Sequence, residues 1–371
     1  MMAAGKPGKA RFERLLSAMH REGLDAAAIV PGANFYFLTG VQFHLMERPT
    51  VLFVLADGSK HAVIPSLESA RWKAAAPDVD SVFWQDSDGF ADAFKTLSGQ
   101  IAPRRIGVEG QRMRVFEGEA IRAAFGAGTV VDAHAAISRM RLHKDKAEID
   151  AMRKAVAISE AALRDTLARV RVGQSEAEIR QGLIADMLAH GADGPAFEPI
   201  VLAGGAAADP HGTAQPDRRL KAGDALLFDW GAAWGGYAAD ITRTFFVGEV
   251  SQRHRDIYEA VRAANAVGRA VAAPGVSLHD LDAAVGGSMR DAGFADLIVH
   301  KTGHGLGLDI HEAPQVMAGN MDRLEPGMVV TIEPGLYRDG DVGVRIEDDV
   351  VITADGAESL TTFDRSLTLV G

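Results

Sequence analysis

The sequence predicts an α/β domain with a mixed sheet followed by an α+β domain, and three of its features carry that fold class. Strand-like runs alternate with helical stretches over the first third. Asp57-Gly58, between two of those runs, signals a hairpin rather than a crossover, so the first sheet is mixed rather than all parallel. Farther on, strands give way to two helices and then to strands again, an arrangement whose two halves are expected to be pseudo-symmetric.

In order along the chain, residues 8–22 read as an amphipathic helix ended by Gly23, and residues 25–30 as a strand stopped by Pro31-Gly32. Further strands are expected at 51–55, 60–64, 81–84, 105–109 and 129–131, with helices at 66–75, 90–97 and 112–124. The loop 40–49, with His44, Glu47 and Arg48, is expected first to be a solvated loop, and is the one place in this third with the alternative of reaching a site elsewhere. A charged helix over 144–171 opens the second domain, which places the domains at 1–138 and 139–371. Ser175 with Glu178 has the spacing of a capping box at the start of the next helix. Strands are expected at 198–202, 225–230 and 237–247, helices at 252–272 and 277–291, and strands again at 328–332 and 342–352.

Composition narrows the function. The 371 residues, 47% hydrophobic and 24% charged, suit a soluble globular protein with a sizeable core. A net charge of −11, from 39 basic and 50 acidic residues, argues against nucleic acid or an anionic membrane as partner, since both need a cationic footprint. No uninterrupted apolar run is long enough to span a bilayer, and the basic N-terminal segment has no apolar stretch behind it, so the cytoplasm is the expected location. With no cysteine there is no disulfide, thiol nucleophile or sulfur ligand, and any metal must be held by oxygen and nitrogen.

Chemistry concentrates in the C-terminal half. Thr302-Gly303-His304-Gly305-Leu306-Gly307-Leu308-Asp309-Ile310-His311-Glu312 sets two histidines among glycines that leave little bulk around either ring. Four carboxylates stand in or beside runs that read as buried strands: Asp229, Asp240, Glu333 and Glu347. An ionised carboxylate buried alone is unfavourable by several kcal/mol, and cations are the partners that four of them with a histidine would need. A hairpin closing at Trp234-Gly235 would set Asp229 directly opposite Asp240, a like-charge pairing that asks for a cation between them. The two-residue period puts Thr331 with Glu333 on one face, and Arg345, Glu347 and Asp349 on one face of the partner strand.

Taken in order with their neighbours, His211, Asp229, Asp240, His304, His311, Glu333 and Glu347 resemble the signature of the pita-bread metallopeptidases, within them the prolidase and aminopeptidase P (Xaa-Pro peptidase) branch. Asn34-Phe35-Tyr36-Phe37-Leu38-Thr39-Gly40 and Gly107-Val108-Glu109-Gly110 resemble that family's creatinase/prolidase N-terminal domain, and residues 141–148 the segment that opens its pita-bread catalytic domain. The resemblance implies two divalent metal ions, with Asp229 chelating one, His304 and Glu333 holding the other, and Asp240 and Glu347 bridging both. The oxygen-rich set favours manganese or cobalt over zinc or iron. Two cations about 3.5–4 Å apart lower the pKa of a shared water and clamp attacking and leaving oxygens. Glu333 would then shuttle the proton to the departing imino nitrogen, His211 and His311 would steady the substrate carbonyl and oxyanion, and Arg345 would orient the bridging carboxylates.

Also implied are small peptide substrates with proline after the scissile bond, and a homodimer or dimer of dimers whose N-terminal domain closes the cleft. Trp230 and Ala206-Ala207-Ala208 depart from the family's pattern and are expected to reshape that cleft. The same scaffold also supports hydrolysis of a non-peptide C–N bond in creatinase-like or ectoine-hydrolase-like relatives, although the complete ligand set speaks against the metal-free creatinase branch. An inactive binding protein of the fold would show substitutions among the ligands, and there are none.

Overall fold

The computed structural model describes residues 9–126 and 128–371, which form two compact units, one ending at Arg141 and the other spanning Leu142–Gly371. The basic segment and first helical residue read within 1–8 lie outside the described residues.

The N-terminal unit runs α1 (Lys9–Glu22), β1 (Ala26–Ile29), α2 (Ala33–Thr39), β2 (Val51–Leu55), β3 (Lys60–Pro65), α3 (Ser69–Ala75), β4 (Asp80–Trp84), α4 (Ala91–Ser98), β5 (Ile106–Val108), α5 (Val115–Phe125), β6 (Val130–Asp132) and α6 (His134–Ser138). Its sheet has the order β4-β3-β2-β1-β5-β6, antiparallel through β3-β2-β1 and parallel elsewhere. The expected mixed sheet is therefore present, and Gly58 turns β2 into β3 at φ 86°. Ala26, Ala28, Val51, Phe53, Val63 and Ile106 bury one face against Phe94 and Leu97 of α4 and Ile121 of α5. Helix α2 was not legible: its run Asn34-Phe35-Tyr36-Phe37 is poor in strong helix formers, and packing overrides propensity because Phe35 and Phe37 are fully buried. In the loop 40–49, Arg48 pairs with Asp86 and Glu47 of the same unit, while His44 is exposed.

The C-terminal unit begins with α7 (Lys146–Leu167) and α8 (Glu176–Ala189), whose N-caps Asp145 and Ser175 each form a full capping box. Then follow β7 (Gly194–Pro195), β8 (Ile200–Ala203), β9 (Ala225–Trp230), β10 (Ala232–Trp234), β11 (Tyr237–Ala238), β12 (Ile241–Val247), α9 (Gln252–Val271) and α10 (Leu278–Asp291). The chain closes with β13 (Gly303–Gly305), β14 (Glu312–Val316), β15 (Val329–Ile332), β16 (Gly335–Arg338), β17 (Val342–Arg345), β18 (Asp348–Ile352), β19 (Ala357–Ser359) and β20 (Leu369–Val370). Two principal sheets, β20-β12-β9-β8 and β14-β13-β15-β18-β19, accompany the helix pairs α7/α8 and α9/α10. The expected internal symmetry shows at the helix starts. Ser175 bridges Arg219 and Ser277 bridges Arg323, and each arginine donates to a glycine carbonyl two residues before the serine.

A buried ion-pair cluster joins the two sheets. Arg243 of β12 donates to Asp348 of β18 and to the Glu347 and Phe363 carbonyls, and Arg365 donates to both oxygens of Asp348. Burial raises the Asp348 pKa, but the two guanidiniums outweigh it and hold the carboxyl below its usual range. Among the described residues, no helix is long and apolar enough to cross a membrane.

Candidate metal centre

The four strand carboxylates and His304 come together where the two sheets meet. Donor atoms of Asp229, Asp240 and Glu347 lie within 4.8 Å of one another, as do those of His304, Glu333 and Glu347, and those of Asp240, His304 and His311.

Each side chain reaches this point for a local reason. Asp229 lies on β9 and Asp240 just before β12, but they are not directly opposite as expected: Asp229 faces Thr242 across the ladder. The turn is Gly235-Gly236, at φ 60° and 85°, with Trp234 facing Tyr237, so the turn lies one residue beyond Trp234-Gly235 and the partner of Asp229 moves by two residues, from Asp240 to Thr242. Two left-handed residues make the tight primed turn that matches strand twist. The aspartates therefore meet along a diagonal rather than directly across the ladder, with donor atoms within 4.8 Å of each other and of Glu347.

The run 342–352, read as one strand, is two. Strands β17 and β18 keep one register with β16 and β15, but the ladder breaks at Pro334, which has no N–H to give. Glu333 and Glu347 are the residues at that break. Free of the ladder, Glu347 donates its N–H to the Thr242 carbonyl at 3.0 Å and accepts the Thr242 hydroxyl at 2.6 Å.

His304 is held between β14 and β15. A Cβ at Gly303 would lie 2.1 Å from the Thr331 oxygen, and one at Gly305 2.1 Å from the Ala313 oxygen, so these glycines permit backbone approach rather than clearing space around the ring. His304 Nδ1 lies 3.0 Å from the Gly305 carbonyl, which can only accept, so Nδ1 carries the proton. The Nε2 lone pair then faces Glu333 Oε1 at 3.4 Å and Asp240 Oδ2 at 3.6 Å. Burial, then the neighbouring His311, push the His304 pKa down to about 3, so the imidazole is neutral at physiological pH, the form in which it ligates a metal.

Electrostatics describe a site short of positive charge. Asp240 and Glu347 are pushed well above the carboxylate range, first by burial and then by like charge, from Glu347 and Asp229 on Asp240 and from Glu333 and Asp229 on Glu347. Burial raises Glu333 to about 7. Arg345 is the one guanidinium bonding a side-chain carboxylate of the cluster among the described residues, with Nη2 2.5 Å from Asp229 Oδ2, Nη1 on the Tyr337 hydroxyl at 2.7 Å and Nε on the Thr242 hydroxyl at 2.9 Å. It thus grips Asp229 directly and reaches Glu347 only through Thr242, rather than orienting the Asp240 and Glu347 carboxylates as expected. Asp229 Oδ1 is buried with no hydrogen-bond partner among the described residues, which a bound cation would supply. Four converging carboxylates, a neutral imidazole and this orphaned oxygen fit divalent cations.

His311 and His211 stand at the rim. The His311 ring centroid is 3.9 Å from that of His304, and burial with the nearby Lys301 charge lowers its pKa. His211 is exposed beyond a short 3-10 turn, and lies near enough to His300 and His311 for its charge to disfavour theirs. Trp230, expected in the cleft, is fully buried and donates to the Ser159 carbonyl at 2.9 Å. Ala206 and Ala207 likewise pack on Leu202 and Leu227, because Ala207 must approach the β16–β17 ribbon backbone to backbone: a Cβ at Gly343 would lie 1.7 Å from its oxygen.

Three contacting residues escaped the sequence reading: Thr242, Tyr337 and His300. His300 Nδ1 donates to the Lys301 carbonyl at 2.7 Å, and its Nε2 meets the Tyr337 hydroxyl at 2.9 Å, extending the Arg345 network. Thr242 was accessible, since the two-residue period sets it on the face of Asp240. His300 and Tyr337 carry no such pattern and meet only in three dimensions.

Residues 150–354 match the Metallopeptidase family M24, and residues 11–143 match the Creatinase/Prolidase N-terminal domain. A Bacillus subtilis protein named "Putative dipeptidase YkvY" is 33% identical over 362 residues, covering 97% of this chain and 99% of its own. The dipeptidase PepE of Mycobacterium ulcerans has a solved structure that superposes with a TM-score of 0.90 at 34% identity, covering 97% of each chain. An Xaa-Pro dipeptidase from Bacillus anthracis also gives a TM-score of 0.90, at 29% identity over 97% of this chain and 99% of its own.

Proposed function

The chain belongs to metallopeptidase family M24, and from that premise we propose that it is a dinuclear-metal exopeptidase that cleaves the Xaa-Pro bond, with Xaa-Pro dipeptides its first substrates. The observation that carries this reading is the convergence of Asp229, Asp240, Glu333, Glu347 and the neutral His304 on one point, with too little positive charge of the chain's own to balance them. Those five residues would hold two divalent metal ions, manganese or cobalt ahead of zinc or iron for so oxygen-rich a set. When bound, the ions supply a water of lowered pKa and polarise the scissile carbonyl.

The chain's own groups do the rest. Arg345 holds Asp229, Thr242 donates to Glu347, and the Gly305 carbonyl keeps the His304 proton on Nδ1, so each donor is aimed before substrate arrives. Thr331 donates to Glu333 Oε1 at 3.2 Å and fixes that carboxylate. Glu333 takes the proton of the attacking water and hands it to the departing proline nitrogen, which must be protonated to leave as an amine. His211 and His311, at the rim, donate hydrogen bonds to the substrate carbonyl oxygen as negative charge develops on it. The dipeptidase names among the relatives support the dipeptide preference. A cytoplasmic homodimer or dimer of dimers belongs to the same reading and rests on the family resemblance.

Metal analysis of the purified protein, followed by turnover of Ala-Pro and Ala-Pro-Ala with manganese added, tests this. Cleavage of Ala-Pro is expected, with Ala-Pro-Ala slower. Both peptides staying intact while an amidine or ureido compound is consumed would contradict it and favour a non-peptide C–N hydrolase.

A further inference from the structure

The bend between Gly307 and Glu312 carries His311 yet belongs to no helix or strand, so its position must be fixed by something outside it. We propose that the buried ion pair between Lys144 and Glu312 fixes it, which makes both of them positioning residues for His311. The kinetic consequence rests on the peptidase reading above; the structural consequence does not.

Lys144 Nζ donates to Glu312 Oε1 at 2.6 Å, and the two side chains are only 1% and 5% exposed. Both ends of the pair are anchored where they need to be. Lys144 immediately precedes the capped start of α7, and its own N–H donates to the Gly327 carbonyl at 2.7 Å, so the ammonium projects from rigid backbone. Glu312 directly follows His311 and is the first residue of β14, paired with Gly305 one residue beyond His304. Its second carboxylate oxygen lies 3.4 Å from the Asp309 N–H, across the bend. The other end of the bend is tied down separately, by Ala238 N–H to the Gly307 carbonyl at 2.9 Å.

Residue 307 is shaped to this pair. A Cβ there would lie 2.8 Å from Glu312 Oε1 and 3.1 Å from Lys144 Cε, so a side chain at 307 would have to displace the paired carboxylate and ammonium beneath the bend. A buried ion pair is weak evidence for stability, because desolvation offsets most of the attraction. Its better-attested use is to specify one arrangement, and here the arrangement specified is the imidazole 3.9 Å from a proposed metal ligand.

Glu312→Gln, and the apolar pair replacement Lys144→Met with Glu312→Met, separate positioning from stability. The double variant removes both charges at once and is expected to melt near the parent temperature. We expect both metals retained, kcat on Ala-Pro lowered about tenfold with KM little changed, and faster amide hydrogen exchange over 306–311 with α8 unaffected. In a His311→Ala background the same substitutions are expected to change kcat less than twofold. An equal fold-loss in the two backgrounds, or unchanged exchange over 306–311, would overturn the proposal. If the parent fails to cleave Ala-Pro, the peptidase reading falls, and the exchange measurement still decides this one.

Discussion

Asp240 and Glu347 are where burial and like charge act together, so they respond most sharply to substitution. Asp240→Ala or Glu347→Ala is expected to remove both metals and to lower turnover by more than about 100-fold, beyond what outer-shell changes cost. His211→Ala should keep both metals while kcat falls about 10²–10³-fold, the loss typical of one oxyanion donor. Metal analysis with steady-state kinetics checks all three, and metal loss in the histidine variant would mean that His211 ligates. Arg345→Lys should weaken metal binding about 10–100-fold, because an ammonium cannot hold Asp229, Tyr337 and Thr242 at once as the guanidinium does. At this scale residue type and order were legible in the sequence, since a carboxylate inside an apolar run is conspicuous. Partnerships were not. Arg345 lies close in sequence to Glu347 yet bonds Asp229, because the choice is made by the path of β9 and β12 rather than by spacing.

Elements aim the donors, and two breaks in regular pairing do most of it: the Gly235-Gly236 turn and the Pro334 interruption. Strand and helix positions were largely readable from periodicity and caps, down to the Ser175 capping box. Register and strand splitting were not, because a one-residue difference in turn placement moves a side chain's partner without altering the pattern that predicted the strand. That is why Asp229 faces Thr242, whereas the run 342–352 keeps its register and divides because Pro334 interrupts the opposing strand. The β16–β17 ribbon and the 3-10 turn before His211 meet backbone to backbone at Gly343, where an added Cβ would lie 1.7 Å from the Ala207 oxygen. Gly343→Ala should therefore destabilise the fold by at least about 1–3 kcal/mol, the usual cost of overpacking, and lower kcat by displacing His211. Thermal melting and kinetics check this, and an unchanged melting temperature would show that the ribbon yields freely.

For the whole molecule, the candidate centre is expected to make stability depend on pH and metal together. Without cations, Glu333, Asp240 and Glu347 have folded-state pKa values above their unfolded ones, so the folded protein binds more protons between the two. These carboxylates, with Asp229 and Asp349 raised as well, outnumber the depressed His300, His304 and His311, which act in the opposite sense. Stability of the metal-free protein is then expected to fall as pH rises from the ordinary carboxylate range through about 7, the value reached by Glu333. Divalent cations remove the cause, so they should stabilise more at about pH 8 than at about pH 5. Melting curves at the two pH values, with and without manganese, read this directly, and a metal-free protein that gains stability with rising pH would contradict the assignment. Domain class and the location of the site were legible because both follow from composition and pattern. The balance of charge at the centre required the third dimension, since it depends on one guanidinium bonding one of four converging carboxylates. The most direct test is to titrate chelator-treated protein with manganese, counting bound ions while following Ala-Pro cleavage. Two ions per chain are expected, with activity appearing as they bind. A chain that binds none, or that cleaves Ala-Pro equally well after chelation, would contradict the metal centre itself.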